Sequence, residues 1–165
     1  MLPLVLIGVG IYFFLLTPLM NVPQEIRDFE FTGRVESALV AKPSAFSESQ
    51  QKMFIDSVNA HGTDSFRFYI NTDITVDDNG ETDNLRFGNP NQNGCVLVAT
   101  VFDDDGKILY RSLGLEEGKE INSAKFFEEI SYGTHDVKVA VNAYDSKTHE
   151  KQATKYAEIR LSVGV

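Results

Sequence analysis

Four oxygen-bearing side chains at alternate positions surround one glycine in the stretch Asp77–Asp83, a pattern that points to metal chemistry. They are Asp77, Asn79, Glu81 and Asp83, with Gly80 between the second and the third. Carboxylate and amide oxygens are the ligands of hard cations, and calcium takes about six to eight of them. Together with backbone carbonyls, these four side chains supply enough oxygens for calcium only if the loop folds inward, and we name them as candidate metal ligands.

The same residues also have a purely structural interpretation as a hairpin turn. Their spacing departs from the EF-hand loop, in which the glycine and the terminal glutamate take other positions. The Asp-Asn-Gly sequence ending at Gly80 is what a tight β-hairpin turn requires. A second acidic run, Asp103–Asp105 before Gly106, fits a hairpin turn better than a metal site, because consecutive carboxylates there point in different directions. Calcium binding and a simple turn both stay open at Asp77–Asp83.

Residues suited to catalysis form no recognisable pattern. A nucleophilic site needs a serine, cysteine or threonine with a positioned base, and the histidines are His61, His135 and His149. Each falls next to a predicted element or in a polar loop, where a surface histidine is the simpler interpretation. The sequence has no G-x-S-x-G elbow, glycine-rich phosphate loop or H-E-x-x-H helix. We therefore expect no enzyme activity, no catalytic residues and no cofactor apart from calcium.

The charge balance argues against nucleic acid as a partner. The 165 residues carry 15 Lys and Arg against 24 Asp and Glu, which gives a net charge of -9. All of these charges lie after residue 24, so the rest of the chain is more acidic than the average suggests. A surface of that sign repels phosphate backbones.

Cys95 is the only cysteine, which excludes an internal disulfide and any multi-cysteine metal site. It alternates with Leu97, Ala99 and Val101 along an apolar stretch. Because unpaired cysteine behaves as a small apolar residue, we expect Cys95 to lie in the core.

The first twenty residues form an apolar run without an ionisable side chain. At about 1.5 Å per residue in a helix they reach about 30 Å, the thickness of a bilayer core. We therefore predict a transmembrane anchor over residues 1–20. A cleaved signal peptide is the alternative, but residues 15–23 offer no pair of small residues for cleavage. The acidic domain behind the anchor favours a single-pass protein of the cell membrane, with its domain extracytoplasmic.

Residues 21–64 form a predicted exit segment with room for an edge strand and an amphipathic helix. Alternating apolar residues predict a strand within Phe29–Ala41, which Pro43 ends. The period then changes to that of a helix, which we predict over Phe46–His61. We expect the apolar side of this helix to pack on the sheet.

Residues 65–165 form the predicted β-sandwich domain. Strands are predicted at Ser65–Val76, from Leu85, and at Cys95–Phe102, Lys107–Leu113, Asp136–Tyr144 and Thr154–Val165. The stretch Cys95–Phe102 is apolar on both faces, which predicts a central strand. A short helical turn is predicted at Ser123–Ile130. Six or seven such strands, with turn signals about every eight to twelve residues, indicate a mainly β, antiparallel sandwich of the immunoglobulin or fibronectin type III kind.

Two stretches between Phe87 and Ile121 resemble a known family. They are the loop N-P-N-Q-N-G at residues 89–94, and L-Y-R-S at residues 109–112 with G-L-E-E-G at residues 114–118. They resemble uncharacterised membrane-anchored β-sandwich proteins of Gram-positive bacteria, often associated with mobile or conjugative elements. The chain departs from that family at Glu117, where proline is common. The resemblance implies the fold, the anchor and a cell-surface location, and it brings no catalytic residues.

Three roles fit a chain with these features. The first is a structural or interaction module that binds a protein partner in a cell-envelope or conjugation assembly. The second is a surface domain that binds calcium or carbohydrate through the acidic loop Asp77–Asp83. The third is a pilin-like filament subunit, although the apolar run lacks a prepilin cleavage motif. We favour the first, because an anchor and polar loops are present and a catalytic pattern is not.

Overall fold

The computed structural model describes residues 22–44, 66–127 and 130–164. The predicted anchor over residues 1–20 and the predicted helix Phe46–His61 lie outside the described residues. Within the described residues the only helix is a single turn, α1 (Gln24–Arg27), and the remaining regular structure is strand. The prediction of a mainly β protein is therefore confirmed.

The described chain contains ten strands in three sheets. The strands are β1 (Ala41–Pro43), β2 (Asp73–Val76), β3 (Glu81–Thr82), β4 (Phe87–Asn89), β5 (Val96–Phe102), β6 (Ile108–Arg111), β7 (Lys119–Ile121), β8 (Ala124–Lys125), β9 (Gly133–Tyr144) and β10 (Lys151–Val163). They form a five-stranded sheet in the order β2-β10-β9-β5-β6, a three-stranded sheet in the order β1-β7-β4, and the pair β3-β8.

The five-stranded sheet is built around the long hairpin of β9 and β10. Strand β5 pairs with the part of β9 nearest the hairpin turn, with Val96 opposite Tyr144. Strand β2 pairs with the other end of β10, where Val76 lies beside Val163, and runs parallel to it. This parallel pair differs from the wholly antiparallel arrangement predicted, because alternation within one strand does not specify which strand becomes its neighbour.

The main core lies between the five-stranded sheet and the two smaller sheets. Inward-facing residues alternate along β5, β9 and β10, as their period of two predicts. They are Leu97, Ala99, Val101, Val137, Val139, Val141, Ala143, Ile159, Leu161 and Val163. Residues from the smaller sheets and their connections oppose them, among them Leu85, Phe87, Leu115, Ile121 and Phe126. Cys95 belongs to the same core, so its predicted burial is confirmed.

The opposite face of the five-stranded sheet, here called the outer face, is partly covered by the N-terminal segment, residues 22–36. This segment buries Val22 and Ile26 in one cluster and Phe31 in another. The sheet residues beneath them are Phe102 and Ala140 in the first cluster, and Val96, Val98 and Tyr144 in the second. We call this part of the outer face the covered half, and the part on β2 and the far ends of β9 and β10 the open half.

The covered half explains the unusual composition of β5. All seven residues of β5 are buried, because the main core lies on one side of the strand and the N-terminal segment on the other. The predicted central strand is thus confirmed. Residues 22–44, predicted as an exit segment, pack with the β domain through the covered half and through β1, which forms an edge of the three-stranded sheet.

Two predicted elements differ from the structure. The stretch Phe29–Val40, fully described, contains only an isolated bridge at Val35, and β1 begins at Ala41. Its aromatic residues alternate because they pack onto the outer face, and not because they lie on a strand. The helical turn predicted at Ser123–Ile130 is replaced by β8, whose pairing with β3 satisfies backbone groups that a helix would otherwise satisfy locally.

The predicted strand Ser65–Val76 is also shorter than expected. Only Asp73–Val76 forms β2, while the residues before it make an isolated bridge between Tyr69 and Gly88. Phe66, Phe68, Ile74 and Val76 are nevertheless buried on the predicted side. The alternation therefore identified the buried residues correctly and overestimated the length of the ladder.

Candidate functional site

The first four residues of the acidic loop, Asp77–Gly80, join β2 to β3 as a tight turn. Asp77 Oδ1 accepts hydrogen bonds from the backbone N–H groups of Asn79 at 2.8 Å and of Glu81 at 2.9 Å. Gly80 closes the turn with a φ of +76°, a conformation that favours glycine. The backbone N–H groups of Glu81 and Asn79 also hold the pKa of the Asp77 carboxyl below its ordinary value. The carboxylate of Asp77 therefore serves its own turn.

The other three candidate metal ligands do not gather around Asp77. Asn79 and Asp83 are exposed, and Glu81 lies 3.3 Å from the ammonium group of Lys125 across the β3-β8 pair. Asp77, Glu81 and Asp83 line one open groove. Even so, within the described chain no three His, Cys, Asp or Glu side chains are arranged to hold a metal ion. Calcium binding at this loop stays a prediction.

The same aspartate-based turn occurs in two other hairpins. Asp103 Oδ1, after β5, accepts hydrogen bonds at 3.0 and 2.9 Å from the second and fourth N–H groups beyond it, which confirms the predicted hairpin at Asp103–Gly106. Asp145 Oδ1, after β9, accepts hydrogen bonds at 2.8 Å from both Lys147 and Thr148. Turn chemistry thus explains why acidic residues stand at the start of these loops.

The described histidines and the cysteine do not form a nucleophile and base. Ser131 Oγ lies 3.5 Å from His135 Nε2, but the same nitrogen lies 2.7 Å from the Ser131 carbonyl oxygen. A carbonyl can only accept, so Nε2 carries the proton and is not available as a base. The ring of His149 packs edge-on against Phe31. Burial raises the pKa of the Cys95 thiol to about 11, which keeps it protonated and unreactive.

A buried carboxylate that the sequence did not single out lies on the three-stranded sheet. Glu120, in the middle of β7 beside Gly88, is 1% exposed. Arg86 Nε lies 3.7 Å from Glu120 Oε1. The hydroxyl groups of Tyr69 and Ser44 are 2.6 Å apart at the same place. Burial, and to a smaller extent the charge of Glu120, raise the pKa of Tyr69.

The arrangement around Glu120 is best explained as structural, with an ion pair between Glu120 on β7 and Arg86, the residue before β4. A buried carboxylate needs a compensating charge, and Arg86 supplies it. The raised pKa of Tyr69 keeps its hydroxyl protonated at neutral pH, which disfavours proton exchange with the carboxylate. No local pattern marks Glu120 in the sequence, because its burial depends on contacts with residues distant along the chain.

The open half carries a groove of about 610 Å³ lined by charged and polar side chains. They are Thr72, Asp73, Asp104, Asp136, Lys138, Glu158 and Arg160. The guanidinium of Arg160 lies 3.4 Å from Asp136 and 3.8 Å from Asp73, and Lys138 lies 3.1 Å from Asp104. Four carboxylates face two cations here, so the groove is acidic. The alternation along β9 already placed Asp136 and Lys138 outward, but grouping them required the register between strands.

Exposed apolar side chains surround the connection that leads into β1. Leu39 is 85% exposed, and Val35 and Val40 are also exposed. Val35 bridges to Gly114, which brings it beside the exposed Leu113. We call Val35, Leu39, Val40 and Leu113 the apolar patch. Large apolar groups left in water are typical of surfaces that contact another protein.

The two stretches that carry the family resemblance are bonded to each other. The buried amide of Asn89 donates to the carbonyl oxygens of Cys95 at 2.9 Å and of Leu115 at 2.8 Å. The N–H group of Gly94 donates to the carboxylate of Glu117, the residue at which the chain departs from the family. Both stretches thus have a structural role, which holds the start of β5 against the chain that precedes β7.

Comparisons with known proteins leave the family of this chain open. No family model, curated protein or solved structure matches it. In the part of the chain that the structure describes, no helix has the length and apolar character needed to cross a membrane. The family resemblance, the anchor and the immunoglobulin-like sandwich stay predictions.

Proposed function

We propose that this protein is a single-pass membrane protein whose β domain, a sandwich of the immunoglobulin or fibronectin type III kind, acts outside the cell as a structural or interaction module. The burial of the residues directly after the apolar run carries the proposal. Val22 is 4% and Ile26 0% exposed, and both pack on the five-stranded sheet. In this proposal only Asn21 separates the anchor from a residue packed on the sheet.

A linker-free attachment suits an architectural role. A domain tethered by a flexible chain samples many positions and orientations. A domain joined directly to its anchor keeps one side toward the membrane, so it loses less freedom when it docks a partner. This arrangement favours a module that presents a fixed surface to another component of the cell envelope.

The apolar patch supports a protein as the partner. Glu36 follows Val35 in the chain, and its carboxylate accepts the N–H of Leu113 at 2.7 Å, so a polar group adjoins two members of the patch. Apolar residues with a polar rim are the usual composition of a protein interface. We propose that this partner belongs to a cell-envelope or conjugation assembly, as the family resemblance implies.

Alkaline extraction combined with protease treatment of intact protoplasts tests the membrane part of this proposal. We expect the full chain to stay with alkali-washed membranes and its β domain to be digested from outside. A chain that begins at Val22 is the control, because it keeps every described residue and lacks the apolar run. Release of the full chain by alkali, or protection of the domain from external protease, would contradict the proposal.

Site-specific photocrosslinking tests the partner surface. A photoreactive residue at Leu39 should give a discrete protein adduct in intact cells. The same residue at Lys147, exposed in the β9–β10 turn, is the matched control and should not give that adduct. Identical products from both positions, or no product at Leu39, would show that the apolar patch binds no protein.

Calcium or carbohydrate binding at the acidic loop is the alternative function, and it has less support. Asp77 uses its carboxylate within the turn, and Glu81 pairs with Lys125. The filament role gains no support from the described residues.

A further inference from the structure

The chain joins the described fold beside the β5–β6 turn. Pro23 lies against Gly106 of that turn, and a Cβ atom at Gly106 would overlap the proline ring. Val22, the residue before it, packs with Phe102 at the end of β5 and with Ala140 of β9. The N-terminal segment therefore starts at the boundary between the covered half and the open half.

Very little chain separates this boundary from the proposed anchor. Two residue steps lead from Met20, the last residue of the apolar run, to Val22, and they span at most about 7 Å. The headgroup layer on each side of a bilayer core is about 5–8 Å thick. The surface around Val22 must therefore lie at the headgroups of any membrane that the anchor spans.

We infer that the β5–β6 turn, Asp103–Lys107, and the adjoining end of the open half lie against the membrane, with β5 pointing away from it and the phospholipid headgroup layer as their partner. The inference rests on the proposed anchor. It also places the β9–β10 turn, Asp145–Glu150, away from the membrane. Strand β5 runs six residue steps from Phe102 back to Val96, the residue paired with the end of β9. At about 3.3 Å per residue, this separates the two turns by about 20 Å.

The charges of the open half suit a headgroup layer. Zwitterionic headgroups carry a phosphate, which Lys138 and Arg160 can bind, and a cationic ammonium group, whose charge Asp104 and Asp136 attract. These side chains are paired with one another in exposed ion pairs, and such pairs contribute little to stability. Exchange of these pairs for headgroup contacts is therefore nearly neutral in free energy.

The apolar patch lies away from the membrane-facing surface. It follows Phe31 along the chain, and Phe31 packs on Val96, at the end of β5 opposite to the β5–β6 turn. A protein partner and the headgroup layer therefore use different surfaces of the domain and do not compete.

Two labelled variants of the full chain test the orientation. Asp104→Cys and Ser146→Cys place a thiol at exposed positions of the near and far turns, while Cys95 is buried from thiol reagents. Each variant, labelled with a fluorophore, is reconstituted into phosphatidylcholine vesicles that contain a lipid with a nitroxide headgroup. We expect about threefold stronger quenching at residue 104, because the far turn lies about 20 Å farther from the headgroups along β5 and contact quenching falls off over that distance.

The outcomes separate the inference from the proposed function. Equal quenching, or stronger quenching at residue 146, in chains that float with the vesicles overturns the orientation and leaves the anchor standing. Chains that fail to float overturn the anchor and the orientation together. Lys107→Cys and Lys147→Cys repeat the comparison in case a first variant loses its β-sheet circular dichroism. A chain that begins at Val22 should show no difference between the labels.

Discussion

The covered and open halves of the outer face use the same long strand in different ways. The outward-facing residues of β9 are Thr134, Asp136 and Lys138 in the open half, and Ala140, Asn142 and Tyr144 in the covered half. The inward-facing residues are apolar along the whole strand from Val137. The outward residues thus change from wholly or partly exposed polar and charged residues to buried ones at the point where Val22 begins to cover the sheet. Their type depends on whether the N-terminal segment lies over them.

This difference also predicts where the stability of the domain lies. A buried aliphatic or aromatic side chain contributes about 1.5–3 kcal/mol. An exposed ion pair of the kind found in the open half contributes about 0–1 kcal/mol. We therefore expect substitutions in the covered half to destabilise the fold strongly and those in the open half to have little effect.

Removal of residues 22–31 should have the largest effect. The burial of Val22, Ile26 and Phe31 would be lost, at a cost of about 5 kcal/mol or more, which approaches the whole stability of a small domain. We expect a chain that begins at Thr32 to aggregate, and one that begins at Val22 to be folded and monomeric in size-exclusion chromatography. A folded monomer that begins at Thr32 would show that the sheet is stable without residues 22–31 packed on the covered half.

Ile26→Ala should reduce the free energy of unfolding by about 3 kcal/mol, because it leaves a cavity under a fully buried side chain. Urea unfolding of the chain that begins at Val22 measures this. Gln24→Ala, exposed in the same helical turn, is the matched control and should change stability by less than about 0.5 kcal/mol. Similar losses for both variants would argue against packing of this segment.

Tyr144→Phe removes the hydrogen bond from the Tyr144 hydroxyl to the Phe29 carbonyl, 2.7 Å long, and should cost about 1 kcal/mol. Burial raises the pKa of Tyr144 to about 12. Because the folded state favours the protonated form, this contribution is present below about pH 10 and lost as pH rises toward 12. Urea midpoints measured across this alkaline range should fall less steeply for Tyr144→Phe. An equal fall of the urea midpoint with rising pH in Tyr144→Phe and in the wild type would contradict this role of the Tyr144 hydroxyl.

Arg160→Ala should lower stability by less than about 1 kcal/mol, because its partners Asp73 and Asp136 are exposed. Added salt should reduce even this difference, since it screens exposed charges. Urea unfolding at low and high salt gives the comparison. If Arg160→Ala lowered the free energy of unfolding as much as Ile26→Ala does, the open and covered halves would not differ in their contribution to stability.

Asp77→Asn should have the smallest effect at neutral pH, because the amide oxygen can accept the same two backbone hydrogen bonds. The pKa of Asp77 is lowered in the folded state, so its carboxylate contributes to stability at pH values above its ordinary pKa. This contribution is lost as pH falls from the ordinary pKa through the lowered one. The melting temperature of Asp77→Asn should therefore fall less than that of the wild type as pH is lowered. A rise in melting temperature with calcium in the wild type, absent in Asp77→Asn, would instead establish the calcium site.

Sequence patterns identified those features that depend on neighbours along the chain. The alternation in β9 and β10 gave the inward residues, such as Val139 and Leu161, and the apolar character of β5 on both faces gave its central position. The turn at Asp103–Gly106 followed from Asp-Gly chemistry. Each of these depends on one strand or one turn, so a local pattern is sufficient to predict it.

The features that escaped prediction depend on contacts between distant residues. The spacing of Phe29 and Phe31 resembles a strand, and only the position of β5 beneath them reveals that they cover a sheet. Glutamate is usually exposed, and the burial of Glu120 depends on contacts with Arg86 and Tyr69 from other parts of the chain. At the acidic loop the sequence left both a turn and a calcium site open; the turn is present, and calcium binding stays a prediction.

Backbone hydrogen exchange in the full chain tests most directly whether the anchor leads straight into the fold. The N–H groups of Ile26 and Asp28 donate to the carbonyl oxygens of Pro23 at 3.0 Å and Gln24 at 2.8 Å. We predict that these two amides exchange much more slowly than those of an unstructured peptide, because the segment must detach from the sheet before they open. Exchange at the rate of an unstructured peptide would show that residues 22–31 are a linker and would contradict the proposed function.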